Sequence, residues 1–593
     1  MYLPQINEIS QNRDVIDVFG GYNHSMTVRD GEFYEMTNLT SDDYPAVSVR
    51  KKRKFVKKID KPNGLFYTDT LVYVDGTELF YDGVKVLDVS DSEKTLVAMG
   101  AYLCVFPDKV IFNTEDGTSS SMEAHYTNKG VIRVEPSTLG GSSLEYSETE
   151  PEHADGAYWL DNGVLKQWSQ TYSAWMSVPT SYVRIYETLS GKVNEEFTDM
   201  FREGDTVSFT GFKDEDLNGD FVLYACADGY MVIGCAPKNI AESSTVNFDR
   251  SVPDMDFVCE QNNRLWGCSS KNHEIYASKL GDPTNWRSYA GLVSDSYAVT
   301  VGSYGDFTGC ISHLGYVLFF KEGMIIRMYG SQPSDFSKTE IICRGVEKGS
   351  EKSLAVLNEV LYYKSKDGIC AYDGTFPRNI SQSLGDGRYT HASAGVTNNK
   401  YVVSALDADG NWNVFVYDYQ KGVWAREDNE HMLFFANEAG TLYYMNEYSL
   451  NLVQSQNVGE GIYPSQDFYI DGEMTSLYPG MVYPGQAFED DYEEPIEWSA
   501  QTGDMGTGYP DNKYVSKIVL RLSVEPGGLF EMEVQYDSDG LWEKILSLGS
   551  TSKRSVSVPV RLRRCDHFSF RFSGSGRFRL YSITKSIEQG SEL

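Results

Sequence analysis

The chain has 593 residues and a formal charge of -33, with 53 Gly, 41 Tyr and 29 Phe. That length holds several domains, each able to bury its own core. The acidity argues against a protein that grips nucleic acid through its phosphates, since such binders present a basic face that releases counterions. It leaves room for a conduit whose negative wall keeps a duplex from sticking. Nine cysteines include no Cys-x-x-Cys pair, so reduced thiols are expected rather than a zinc site or a disulfide framework. The opening MYLPQINEISQNRD lacks a basic-then-apolar signal pattern, and apolar runs such as Tyr316 to Phe320 fall far short of a bilayer. The expectation is a chain without a membrane-spanning segment that folds in a reducing cytoplasm.

Between Asn63 and Met445, short runs of aromatic and β-branched residues alternate with polar turns, and no helical period of 3.6 is sustained. This predicts an all-β fold. Residues 1–114 read as an N-terminal segment and the first blades of a β-propeller, with hairpins at Leu65 to Leu87 and Leu96 to Phe112. Residues 115–250 break the rhythm with VIRVEP, SYVRIYET and FVLYAC, and read as an inserted β domain. The polar stretch from Gly140 to Gly156 near its start is expected to be mobile. Residues 251–466 supply the remaining blades, where YKSKDGICAYDG and ALDADGNWNVFVYD place Asp-Gly turns between strands. The count is about seven blades, within a range of six to eight. Each blade exposes two apolar faces until it stacks on its neighbours.

Residues 467–512 form an acidic connector, with eleven Asp or Glu between Asp467 and Asp511 and no Lys or Arg. Residues 513–593 alternate cleanly in KIVLRLSVE and HFSFRFSGSGRFRLYSI, which predicts a C-terminal β-sandwich. That tail is mildly basic, with 13 Lys or Arg against nine Asp or Glu.

Two stretches are candidate sites. RKKRKFVKK, from Arg50 to Lys58, offers Arg50, Lys51, Lys52, Arg53 and Lys54 as a dock for an acidic partner subunit. The alternatives are a solvated basic edge strand that resists aggregation, or phosphate contact. In the connector, Glu489, Asp490, Asp491, Glu493 and Glu494 are candidate channel or gate residues.

Signs of catalysis are weak. DEDLNG at Asp214 to Gly219 opens like a calcium loop, but Ala225 stands at its twelfth position, where a bidentate Glu is needed. Asp407 with Asp409 and Asp537 with Asp539 are spaced as turn residues rather than as an acid–base pair. Trp266 and Trp286 read as core residues rather than sugar platforms. The eight histidines lack zinc or triad spacing. No catalytic residue, metal or cofactor is expected.

The segment DVFGGYNHSMTVRDGEFYEMTNLTSDDYPAVSVRKKRK, the elements NNRLWGC and SKLGDPTNW, and the terminal VPVRLRRCDHFSFRFSGSGRFRLYSI together resemble tailed-phage and prophage DNA-stabilisation or tail-nozzle proteins. The resemblance spans nearly the whole chain, although its motifs are packing and turn motifs. It implies a propeller-bearing virion protein, made in the host bacterial cytoplasm, that assembles as a homo-hexameric ring below the portal and adaptor. Such a ring holds tail fibres or spikes as neighbours and passes DNA through its lumen without reading sequence. The competing expectations are a receptor- or carbohydrate-binding tail component and a propeller glycosidase.

Overall fold

The structure is a computed structural model that describes residues 11–453, 466–470, 473–477, 495–508, 513–558 and 563–589. Among these residues the regular structure is all β, apart from four short 3-10 turns. Seven four-stranded sheets follow one another through residues 62–88, 95–121, 257–300, 309–342, 355–379, 390–426 and 434–453. They are numbered here as blades 1 to 7 of the β-propeller that the strand rhythm predicted. Blade 7 takes its fourth strand, Lys54–Lys58, from the N-terminal side of the chain, with Ser449 opposite Lys58 and Leu452 opposite Lys54.

The middle strands of the blades are the buried ones, while outer strands such as Val84–Asp88 and Ser119–Ser121 stay largely exposed. Lys400–Leu406 and Trp412–Asp418 of blade 6 are covered almost from end to end, because this blade packs between blades 5 and 7 and neither face keeps contact with water. Tyr362 of blade 5 stacks on Tyr401 of blade 6 at 5.3 Å. Leu65 and Tyr73 of blade 1, with Ile59 just before it, share a core with Ala436, Met445 and Leu450 of blade 7. One Asp-Gly turn shows its chemistry fully. Asp82 and Gly83 both have positive φ, of 50° and 73°, in a two-residue loop between Glu78–Tyr81 and Val84–Asp88. That is the primed geometry matching the strand twist.

The chain divides into two compact units, Met1–Glu93 with Phe320–Ile325 and Ile341–Leu593, and Lys94–Phe319 with Ile326–Glu340. Blades 5, 6, 7 and 1 lie in the first unit, and blades 2 and 3 with the insertion lie in the second.

The insertion begins at Ala124 rather than at Glu115, because Ser119–Ser121 completes blade 2. Its first strand, Ala124–Thr127, pairs with its last, Asn247–Arg250. A nine-stranded sheet surrounds Phe197, Phe209 and Phe248, whose rings meet edge to face near 5 Å. A three-stranded sheet, with Trp159, Trp168 and Trp175 packed together at 5.4 Å, completes it. The stretch Gly140 to Gly156 was expected to be a mobile excursion. It is tied down by the bridges Ser137 to Ser143 and Ser147 to Trp159, and by His153 stacked on Trp168 at 3.9 Å.

The terminal sandwich is larger than its C-terminal strands alone predict. One six-stranded sheet combines Gln11–Ile16, Leu39–Thr40 and Val47–Val49 with Lys513–Val524, Thr551–Val558 and Phe578–Gln589. The other combines Gly21–Tyr22 and Glu32–Thr37 with Glu497–Thr502, Leu529–Tyr536, Glu543–Leu548 and Phe568–Ser575. Residues 11–49 were expected to belong with the first blades, and Glu497–Thr502 with the acidic connector. Both expectations give way to pairing across the length of the chain, with Gln11 opposite Glu588 and Met36 opposite Ala500. The core between the sheets is aromatic, with Trp498 against Phe578 at 3.9 Å and Phe530 against Phe572 at 5.8 Å. Lys585, almost wholly buried, reaches back to Asp30 and to Asp14 at 3.3 Å.

Candidate functional site

The basic run from Arg50 to Lys58 splits in two. Its second half is the strand that completes blade 7. Lys57 Nζ donates to Tyr73 Oη at 2.6 Å and lies over the Phe80 ring at 4.6 Å. Its first half turns inward. Arg53 Nη2 donates to Glu427 Oε2 and Nη1 to Asp428 Oδ2, both at 2.6 Å, while Arg50 donates to Asp428 at 3.2 Å and to Asn38 at 2.7 Å. Arg50 and Arg53 are only 6% and 4% exposed. The docking expectation is therefore corrected for these two residues, whose charge is neutralised inside the fold. Lys51, Lys52 and Lys54 sit half-buried beside them. Burial pushes the Asp428 carboxyl up, but Arg53 and Arg50 outweigh it and hold the group below the usual carboxylate range. The other expected set, Glu489, Asp490, Asp491, Glu493 and Glu494, lies outside the described residues.

The weaker candidates resolve into turns and core. At Asp214 the place of a cation is taken by Lys238, whose Nζ donates to Asp214 at 2.6 Å and Asp216 at 2.8 Å. Asp407 accepts the N–H groups of Asp409 at 3.0 Å and Asn411 at 2.8 Å, so it shapes a turn. Asp537 accepts the N–H of Asp566 at 2.7 Å. Trp266 and Trp286 are buried, Trp266 edge-on to Phe336 at 5.0 Å.

One arrangement escaped the sequence reading because its parts lie 29 residues apart. Ser538 Oγ is 2.8 Å from His567 Nε2, and His567 Nδ1 is 3.2 Å from Asp566 Oδ2. The order mimics a nucleophile, a base and an orienting acid. It sits at an open hairpin tip with Asp566 more than half exposed, whereas the orienting acid of a working triad is buried against its histidine. We read it as a clasp that ties the Asp537–Ser538 turn to the residues just before the paired strand Phe568–Ser575.

A concavity lies between blades 5 and 6, a cavity of about 440 Å3 lined entirely by residues of the first unit. Blade 5 supplies the turn Lys366–Asp367, blade 6 supplies Ala405 and Phe415, and the connecting loop from Ile380 to Tyr389 forms the outer wall. This loop is pinned from behind. Trp424 Nε1 donates to Ile380 O and His24 N donates to Ser383 O, both at 2.8 Å. Gly385, at φ of 79°, faces His24 so closely that a Cβ would lie 2.6 Å from its carbonyl oxygen. On the inner side Asn379 Nδ2 donates to Asp367 O at 2.7 Å, and Ser381 Oγ accepts from Ile369 N at 2.9 Å.

The charged groups around the cavity are largely paired. Lys364, 3% exposed, donates to Glu347 at 2.7 Å. Burial pulls its ammonium below the usual lysine value, and Glu347 offsets only part of that. Lys366 pairs with Glu322 at 2.8 Å and Asp367 with Arg344 at 3.0 Å. Tyr389 meets Phe415 edge to face at 5.1 Å, and burial keeps its hydroxyl protonated well into alkaline solution. None of this was visible in sequence, because the lining is assembled from a turn, a loop and a neighbouring blade.

No protein-family model and no curated relative matches the chain. Among solved structures it is similar to PorZ, a bacterial surface component of the type-IX secretion system of Porphyromonas gingivalis. The identity is 11%, over 84% of this chain and 70% of that one, with a TM-score of 0.24. It is also similar to Raptor of Chaetomium thermophilum, at 10% identity over 69% of this chain and 30% of that one, with a TM-score of 0.28. The propeller assignment rests on the strand pairing, not on these likenesses.

Proposed function

We propose that this protein is a non-enzymatic structural subunit of a bacteriophage tail, a nozzle or hub component that retains packaged DNA and conducts it during ejection. The observation that carries the reading is where its resemblance-bearing segments lie. The segment from Asp17 to Lys54 supplies strands to both sheets of the sandwich and then the buried arginines that lead into blade 7. FSFRFSGS, Phe568–Ser575, is a central strand of the second sheet. These residues do structural work, as the motifs of an architectural family should. A formal charge of -33 supports the conduit role, because a negative wall repels phosphate and leaves the duplex free to move. In this reading the subunit forms a ring of copies below the portal and adaptor, with fibres or spikes attached near it.

Imaging of purified particles carrying a labelled copy of this chain tests the proposal. Density on the tail axis below the portal is the expected result. Label on peripheral fibres, or absence from the particle, would overturn it.

A further inference from the structure

The inference drawn from the cavity between blades 5 and 6 does not depend on the conduit role. We infer that it binds an uncharged, polyhydroxylated ligand the size of one or two sugar rings. Its volume of about 440 Å3 falls within the span of small-molecule sites and is far too small for a folded partner or a duplex.

The lining selects the chemistry. The permanent charges mostly cancel in pairs, Lys364 with Glu347, Lys366 with Glu322 and Asp367 with Arg344. What remains at the mouth is Arg388, 3.9 Å from Glu347, and Asp386, of opposite sign. Such a balance gives no field to hold a phosphate or a free carboxylate. The groups left to bind are the Gln382 amide, the Asp386 carboxylate, the Arg388 guanidinium and the Tyr389 hydroxyl, which between them donate and accept hydrogen bonds. A hydroxyl group does both at once, so a ring bearing several of them satisfies this set where an anion or a cation cannot. The Tyr389 ring, half-buried and braced by Phe415, adds an apolar surface for the C–H face of a sugar.

The wall is also preorganised. His24 and Trp424 hold the loop at Ser383 and Ile380, so little ordering cost falls on binding.

The test is saturation-transfer NMR and calorimetry on the full chain with glucose, galactose, mannose, N-acetylglucosamine and their disaccharides. Glucuronate and inorganic phosphate form separate arms. Saturable binding of at least one neutral saccharide is expected, weakened about tenfold or more in Tyr389→Ala and in Asp386→Asn. Asp409→Asn, on a turn outside the cavity, should bind as the parent does, and circular dichroism establishes that each variant is folded. Three results would overturn the inference: no saturable binding of any neutral saccharide, binding only of glucuronate or phosphate, or sugar binding unchanged in both cavity variants.

Discussion

The inserted module and the terminal sandwich are both aromatic-cored β structures, yet they are built in opposite ways. The module is one continuous stretch whose first and last strands lie side by side, so the chain enters and leaves at a single point. The sandwich is assembled from strands at both ends of the chain, with Gln11 opposite Glu588 and Val47 opposite Leu580. The module can form without waiting for the rest of the protein, whereas the sandwich must bring together segments separated by an entire propeller. Closing so long a loop costs entropy before any contact rewards it. The N-terminal segment offsets that cost in three places: Lys585 on Asp30 and Asp14, Arg53 on Glu427 and Asp428, and the strand completing blade 7.

The largest effect should come from deletion. Replacing residues 124–250 with a few glycines and serines should leave the remainder folded, since Ala124 and Arg250 are register partners. Its cost should be about 1 kcal/mol for each lost bond, such as those from Lys279 and Asn285 to Gly204 O at 2.9 and 3.0 Å. Removing residues 1–49 should instead leave the sandwich unformed, because five of its strands are gone. Limited proteolysis and circular dichroism distinguish the two outcomes. A stable, protease-resistant C-terminal fragment after the N-terminal deletion would refute the contrast.

A smaller effect separates two buried arginines of similar chemistry. Arg53→Met leaves Glu427 and Asp428 without their main partner, and Arg250→Met does the same to Asp205. Each should cost about 3 kcal/mol. Hydrogen exchange should show the first loosening blade 7 and the sandwich, and the second loosening the module alone. Identical exchange maps would mean that the two regions are not separate cooperative units.

The smallest effect is on pH dependence. Asp428 and Glu187 are both held below the usual carboxylate range. At Asp428 the push from burial is outweighed by Arg53 and Arg50; at Glu187 it is outweighed by Tyr126, Asn194 and the N–H groups of Gly130 and Lys129. A carboxyl that titrates lower when folded binds fewer protons in the native state. Its stabilising contribution is therefore complete above about pH 5 and declines as pH falls through the folded value. Melting temperatures measured between pH 6 and 3 should drop less steeply in Asp428→Asn for the first unit and in Glu187→Gln for the module. Unchanged slopes in both would show that neither carboxyl contributes.

Much of the propeller was legible because each hairpin carries its own signal. YVDGTELFYDG contains two strands, a turn and the start of the next, and needs no distant partner to be read. Arg50 and Arg53 were misread as part of a dock because seven basic residues in nine look solvated. Only the fold reveals Glu427 and Asp428 waiting more than 370 residues away. The cavity between blades 5 and 6 left no trace for a similar reason. Lys364, Tyr389 and Phe415 lie in three separate elements, and nothing local to any of them signals the other two.

The sequence by itself determined the strands, their turns, the insertion and the acidity, since period-two alternation and Asp-Gly turn chemistry act over a few residues. Tertiary structure decided which strands share a sheet, that the N-terminal segment belongs to the sandwich and to blade 7, and where charges cancel. The physical reason is that pairing register and ion pairing depend on groups meeting in space, and a β-rich chain brings together residues that sequence keeps hundreds of positions apart.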